Sequence, residues 1–216
     1  MRGNRSFGIE LKPNRLESLS DGVLAIAMTL LVIELSVPVL LKTNAEEELK
    51  IKLFEMWPKF AAYALSFLIL GIFWFFHHFL FHYIKRSDGR FVWLNILFLL
   101  FVALIPFSTA LIGEYSIFAK SAVIFYGANG FIIMLMLNMM WWYATKNKRL
   151  VDKDIRESDV KNVQIRFLLS AIMALLAIGL SFINPYFGIA IYIIIVLWAI
   201  IEILATIPYY KKNIKT

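Results

Sequence analysis

Charged residues divide the chain into long uncharged runs. Four gaps free of Asp, Glu, Lys and Arg cover 60–84, 91–113, 121–145 and 167–201. A membrane span needs about 20 mostly apolar residues, so each of the first three gaps holds one helix. The fourth has 35 residues and is broken at 183–185 by "INP", which reads as a tight turn between two helices. A sixth, less regular segment opens the chain: "RLESLSDGVLAIAMTLLVIEL", residues 15 to 35, carries Arg15, Glu17, Asp21 and Glu34 around twelve uninterrupted uncharged residues. The pattern predicts helices over about 16–38, 57–84, 91–113, 119–144, 163–183 and 186–208. The fold class expected is an all-α polytopic membrane protein with six transmembrane helices per subunit, one membrane domain filling 1–216.

Composition agrees: 61% of the 216 residues are hydrophobic and 17% charged, far from the balance of a soluble domain. Charge then sets the orientation. With both termini cytoplasmic, 17 of the 22 lysines and arginines lie inside, and only Lys42, Lys50, Lys52, Lys59 and Lys120 lie outside. The net charge of +7 is therefore a topology signal, and no nucleic-acid partner is expected. Trp57, Trp141, Trp142, Tyr143, Tyr209 and Tyr210 fall at expected helix ends, where interfacial aromatics belong. The polar first dozen residues and the continuous span after them give no sign of a cleavable signal peptide. The stretch 145–162, mixed in sign, reads as a solvated helical linker. Localisation follows as a multi-pass protein of the lipid bilayer.

Candidate chemistry is sparse. The chain has no cysteine, which excludes disulfides and thiolate metal sites. All three histidines lie in "HHFLFH" at 77–82, but only His78 and His82 share a helical face, so no metal site is expected. No nucleophile–base pattern is present either, and an enzyme is not expected. What remains is a polar layer. Counting from the expected cytoplasmic ends, Ser20 and Asp21 lie about one turn into the first helix, His77 about two turns before the end of the second, and Asn95 one turn into the third. Buried polar groups in a membrane need partners, and Asp21, His77 or His78, and Asn95 stand at matching depth. At 100° per residue, Leu19, Ile26, Leu30, Ile33 and Val37 fall within about 40° of one line, Thr29 lies about 60° to its side, and Asp21 points about 140° away from Ile26. One face of the first helix is a smooth apolar stripe; the other carries its acid.

Arg15, three residues, then "LSD" at 19–21 and "GVLAIAMTLLVIEL" resembles the Arg-x-x-x-Phe-Ser-Asp signature that opens the transmembrane protein 175 family. "WFFHHFLFHYIKRSD" and "WLNILFLLFVALIPFSTAL" extend the resemblance through residue 113, with Leu19 standing where the family has an aromatic. The family consists of potassium channels, lysosomal in animals and present in prokaryotes. The resemblance implies a pore lined by the first helix of a homotetramer, in the cell membrane of a prokaryote. It implies Ile26 as the main constriction, with Leu30 and Ile33 beyond it and Thr29 as a polar ring. It also implies Arg15, Ser20, Asp21, His77 and Asn95 as the clasp that holds this helix.

No cofactor is expected beyond the permeant potassium ions. The chain has no Thr-Val-Gly-Tyr-Gly loop and no arginine-repeat voltage sensor. A ring of four Ile26 side chains closes a path by dewetting. Ions crossing it when open must shed hydration water, which favours potassium over sodium moderately. Glu34 near the outer end would concentrate cations. The alternative is a proton-coupled secondary transporter that uses the Asp21 and histidine layer as a relay; broken helices and repeated halves, which such transporters carry, are missing from the sequence. A third class, a structural membrane protein, would conduct nothing.

Overall fold

A computed structural model describes residues 12–40, 45–115 and 119–213, with side chains described to residue 204. Among these residues the chain is helical, without a named strand, and six helices are long and apolar enough to cross a membrane. Helix α1 covers Pro13–Leu30 and tightens into a 3-10 turn over Leu31–Glu34. A short α2, Ala45–Glu55, precedes α3, Trp57–Tyr83. The third span is α4, Gly89–Ala103, followed directly by α5, Ile105–Tyr115. Then come α6, Lys120–Thr145, α7, Glu157–Ile183, and α8, Pro185–Asn213. The chain is a multi-pass membrane protein.

The differences from the expected boundaries have local causes. Pro13 begins α1 three residues early, since a proline at the first helical position gives up a hydrogen bond no helix makes there. The third span is not one helix but two. Pro106 has no N–H, and its ring crowds the carbonyl of Val102, so the helix loosens at Leu104 and restarts from the Ser108 N–H to Leu104 carbonyl bond at 3.1 Å. Helix α2 was not expected, because Glu46, Glu47, Glu48, Lys50 and Lys52 hide any apolar period; it is held by Glu46–Lys50 and Glu48–Lys52 pairs, each at 2.9 Å and four residues apart. Helix α7 starts at Glu157, ahead of its apolar run, with Glu157 and Asp159 complementing the helix dipole. At the "INP" turn Asn184 is extended and its side-chain oxygen accepts the Tyr186 N–H at 2.9 Å, which starts α8.

The stretch 145–162 is not a solvated helical linker. After a 3-10 turn at Lys146–Lys148 it runs irregularly, and Leu150 and Val151 are buried beside Ile84, with which Val151 forms an isolated bridge. The Lys85 N–H donates to the Leu150 carbonyl at 2.9 Å, and Trp141 Nε1 donates to the Val160 carbonyl at 3.1 Å. Two apolar residues amid charges thus pin the loop under the helix ends. Arg2, Arg5, Lys42 and Lys215 lie outside the described residues, as do the side chains of Tyr209, Tyr210, Lys211 and Lys212.

The main core gathers Leu24, Leu31, Leu70, Phe91, Phe98, Leu137 and Trp141 from α1 and the 3-10 turn after it, α3, α4 and α6. Helix α6 is the central pillar, packed against α4, α5, α7 and α8. Gly127 lets α8 approach it, for a Cβ there would stand 1.9 Å from the Tyr192 hydroxyl. Helix α1 rests in the groove formed by α3 and α4 and buries only Leu16, Ser20, Leu24 and Ala27.

Candidate functional site

The spacing 16, 20, 24, 27 puts the buried residues of α1 on one helical stripe, and Ser20 is its polar member. Ser20, His77 and Asn95 are fully buried and joined in one chain. His77 Nε2 lies 2.9 Å from Asn95 Oδ1, and because that oxygen can only accept, Nε2 carries the proton. The Asn95 amide donates to Ser20 Oγ at 3.0 Å, and the Ser20 hydroxyl donates to the Leu16 carbonyl at 2.9 Å. Phe81 and Phe98 stack on the two sides of the His77 ring, with centroids at 4.5 and 5.0 Å. These rings leave His77 no room to turn, so α1, α3 and α4 are bolted at a defined register. Losing one partner of such a buried bond typically costs ~1–3 kcal/mol.

Asp21 has a different partner from the one expected. It lies beside this bolt, half-buried, and accepts the Trp74 Nε1–H at 2.9 Å. One turn earlier Glu17 meets His78 Nδ1 at 3.1 Å, and the His78 ring stacks on Trp74 at 5.6 Å. Arg15 is exposed, and its side chain makes no hydrogen bond or ion pair with a described residue. Of the five residues expected in one layer, three are brought together, Asp21 forms a neighbouring contact, and Arg15 stands apart. Sequence reading missed Glu17 and Trp74, and it held His78 only as an alternative to His77. Their signal was the matched spacing: Glu17 and Asp21 are four apart on α1, and Trp74 and His78 are four apart on α3. The histidines diverge, His77 towards Asn95 and His78 towards Glu17, and no group of three metal-binding side chains is found among the described residues.

The opposite face of α1 is uncovered within the subunit. Ile26 is 60% exposed, Leu30 41% and Ile33 68%, and Leu19, Thr29 and Val37 are exposed with them. Thr29 donates its hydroxyl to the Ile26 carbonyl at 2.8 Å. With the proton committed there, the oxygen presents only lone pairs outward. At the far end, Glu34 lines a cavity of about 320 Å³ together with Lys59, Tyr63, Thr109 and Glu114, where Lys59 and Glu114 form an ion pair joining α3 to α5.

A second buried polar group, which the sequence reading did not identify, links α3, α5 and α6. Thr109 Oγ1 donates to Ser66 Oγ at 2.8 Å, Ser66 pairs with the Tyr126 hydroxyl at 2.9 Å, and Asn129 reaches Ser108 at 3.4 Å.

The sequence profile of the family described as endosomal/lysosomal potassium channel TMEM175 matches residues 15–106, the stretch that holds α1, α3 and α4. A potassium channel of Streptomyces collinus is 34% identical over 79% of this chain and 82% of its own. One from Chamaesiphon minutus is 32% identical over 85% of this chain and 91% of its own. The crystal structure of a lysosomal potassium-selective channel TMEM175 homolog from Chamaesiphon minutus superposes with a TM-score of 0.79 at 29% identity, covering 88% of this chain and 97% of that one. With its six spans, its Arg15-to-Asp21 signature and this likeness along most of its length, the chain belongs to the TMEM175 family.

Proposed function

We propose that the protein is the subunit of a potassium-permeable cation channel, a homotetramer in which four copies of α1 surround the ion path. The observation that carries this is the division of α1 into a bolted face and a bare one. Ile26, Leu30 and Ile33 are exposed on the side opposite Ser20, on a helix that also carries Glu17, Asp21 and Glu34. The names of the relatives, potassium channels in Streptomyces and Chamaesiphon, support the same reading.

The geometry suggests how such a channel works. Four Ile26 side chains form the narrowest apolar ring, which empties of water when closed. Potassium sheds its hydration shell more readily than sodium, so an apolar neck prefers it. Thr29, whose lone pairs face outward, replaces part of the lost water one turn away. Selectivity for potassium over sodium is then moderate, because the sequence has no Thr-Val-Gly-Tyr-Gly loop to build a carbonyl filter. Leu30 and Ile33 continue the wall, and Glu34 concentrates cations at the outer end. Ser20, His77 and Asn95 hold the helix, with Asp21 on Trp74 as a second contact.

The transporter alternative needs Asp21 and His77 to exchange protons. Asp21 is turned to Trp74, and His77 is enclosed between Phe81 and Phe98. That arrangement favours the channel. The test is a planar-bilayer recording of purified protein in asymmetric potassium and sodium. The channel reading requires an uncoupled current reversing on the potassium side of zero; a flux that saturates and follows the proton gradient would favour the transporter.

A further inference from the structure

At the end of the bundle that holds residues 84–90 and 146–156, two short connections converge. This is the end that the positive-inside rule assigns to the cytoplasm. Asp88 starts α4 by accepting the Phe91 N–H at 3.0 Å on one oxygen, and it accepts the Tyr143 hydroxyl at 2.7 Å on the other. Tyr143 is thereby fixed at the end of α6. The chain then reverses through Asn147 and Lys148, both with left-handed backbones, φ 57° and 50°. Such a turn is uncommon for non-glycine residues. Beyond it, Arg149 comes back over the Tyr143 ring at 4.6 Å, while Lys146 lies over the Trp142 ring at 4.6 Å.

Between α4 and α6 runs an apolar groove of about 350 Å³, walled by Trp93, Leu94, Leu97 and Met139. Its mouth is made by Arg90, Trp142 and Tyr143. Both aromatic residues of the mouth therefore carry a cation, and Arg90 supplies a third. None of the three cations forms an ion pair with a described residue, not even Arg149 with Asp152 three residues on, and Asp88, the carboxylate nearest Arg90 in sequence, already accepts two hydrogen bonds. Aromatic faces hold these cations in position. Unpaired positive charge beside an open apolar slot at the membrane surface has one natural complement.

We infer that the groove between α4 and α6 is a binding site for an anionic phospholipid of the cytoplasmic leaflet. Its phosphate lies among Arg90, Lys146 and Arg149, and one acyl chain lies along Leu94, Leu97 and Met139. Basic pockets between transmembrane helices on the cytoplasmic side are suited to such head groups. A free phosphate would meet the charge but leave the groove empty. The site is independent of the ion path and does not depend on the channel reading.

The test transfers the purified full-length protein from vesicles of equal phosphatidylglycerol and phosphatidylcholine into the mass spectrometer and counts each lipid retained per subunit. The wild type should retain phosphatidylglycerol in clear excess, and Lys146→Gln and Arg149→Gln should each reduce that excess by about fivefold, the contribution of one cation near a membrane surface. Leu97→Trp, which fills the groove, should lower retention of lipid with all three cations intact. Because the two lipids compete in one sample, the ratio does not depend on how much protein survives each substitution. Equal retention of the two lipids, or an excess that the glutamine variants leave unchanged, overturns the site. Displacement of phosphatidylglycerol by added inorganic phosphate overturns the lipid seat in favour of a phosphate site. Disulfide-linked dimers of Trp93→Cys, in a chain with no other cysteine, would show that a second copy covers the groove and would also overturn it.

Discussion

Helices α1 and α8 are alike in the feature that first draws notice: each exposes a row of large apolar side chains within the subunit. On α8 the row is Ile193, Ile194, Leu197, Ile201 and Leu204; on α1 it is Leu19, Ile26, Leu30 and Ile33. They differ in what accompanies the row. The one acid of the α8 span, Glu202, is turned inward to Arg166 on α7 at 3.5 Å. Helix α1 carries Glu17, Asp21, Thr29 and Glu34 around its row and buries Ser20 behind it. A charge near the middle of a lipid-facing helix costs roughly 3 kcal/mol. Apolar exposure alone does not tell lipid from a water-filled path; the polar residues beside it do. By that criterion we propose that α8 faces the bilayer and α1 faces other copies of itself.

The largest expected effect comes from exchanging the two settings. Ile194→Lys on α8 should cost roughly 3 kcal/mol and sharply reduce the folded protein recovered from the membrane. Ile26→Asn should leave the assembly intact, raise resting cation leak in liposome flux and weaken discrimination between potassium and sodium. If Ile194→Lys is as stable as the wild type, the contrast between the helices is wrong. Next comes the bolt. Asn95→Ala leaves Ser20 and His77 without their shared partner and should destabilise the protein by ~1–3 kcal/mol. Thermal melting reads the loss, and the reversal potential of surviving channels should be unchanged. A smaller effect is expected at the neighbouring contact. Asp21→Asn keeps an acceptor for Trp74 whereas Asp21→Ala does not, so the alanine variant should melt lower, by ~1 kcal/mol. A stable Asp21→Ala assembly with altered selectivity would move Asp21 into the ion path. Thr29→Ala should have the least effect on stability, and its trace is a reversal potential shifted towards the non-selective value in mixed potassium and sodium.

Five of the six spans were legible because charge is excluded from lipid, so the gaps at 60–84, 91–113, 121–145 and 167–201 mark the bilayer directly, whereas the first span was read from its twelve uncharged residues. Hydropathy marks the membrane rather than the helix, which is why α7 begins at Glu157, well before the apolar run. The break before Pro106 was written in the sequence, but a span interrupted by one residue leaves the hydropathy signal intact. Leu150 and Val151 were hidden by the lysines and arginines around them. At the site, the wheel of α1 separated Ile26 from Asp21 because helical geometry fixes angles within one helix. Depth alone brought Ser20, His77 and Asn95 to one level. It could not choose between His77 and His78, or between Asn95 and Trp74 as partners, because helix rotation about its own axis is set by packing.

The chain has no cysteine, so single substitutions report water access without background. The most direct measurement is the potassium current of Ile26→Cys, Ile33→Cys and Ile194→Cys proteins in bilayers before and after a charged, water-soluble thiol reagent. The account predicts that the reagent alters current through Ile33→Cys and Ile26→Cys channels and leaves Ile194→Cys channels unchanged. Current unaffected at both α1 positions, or affected only at Ile194→Cys, would contradict the claim that α1 lines the path.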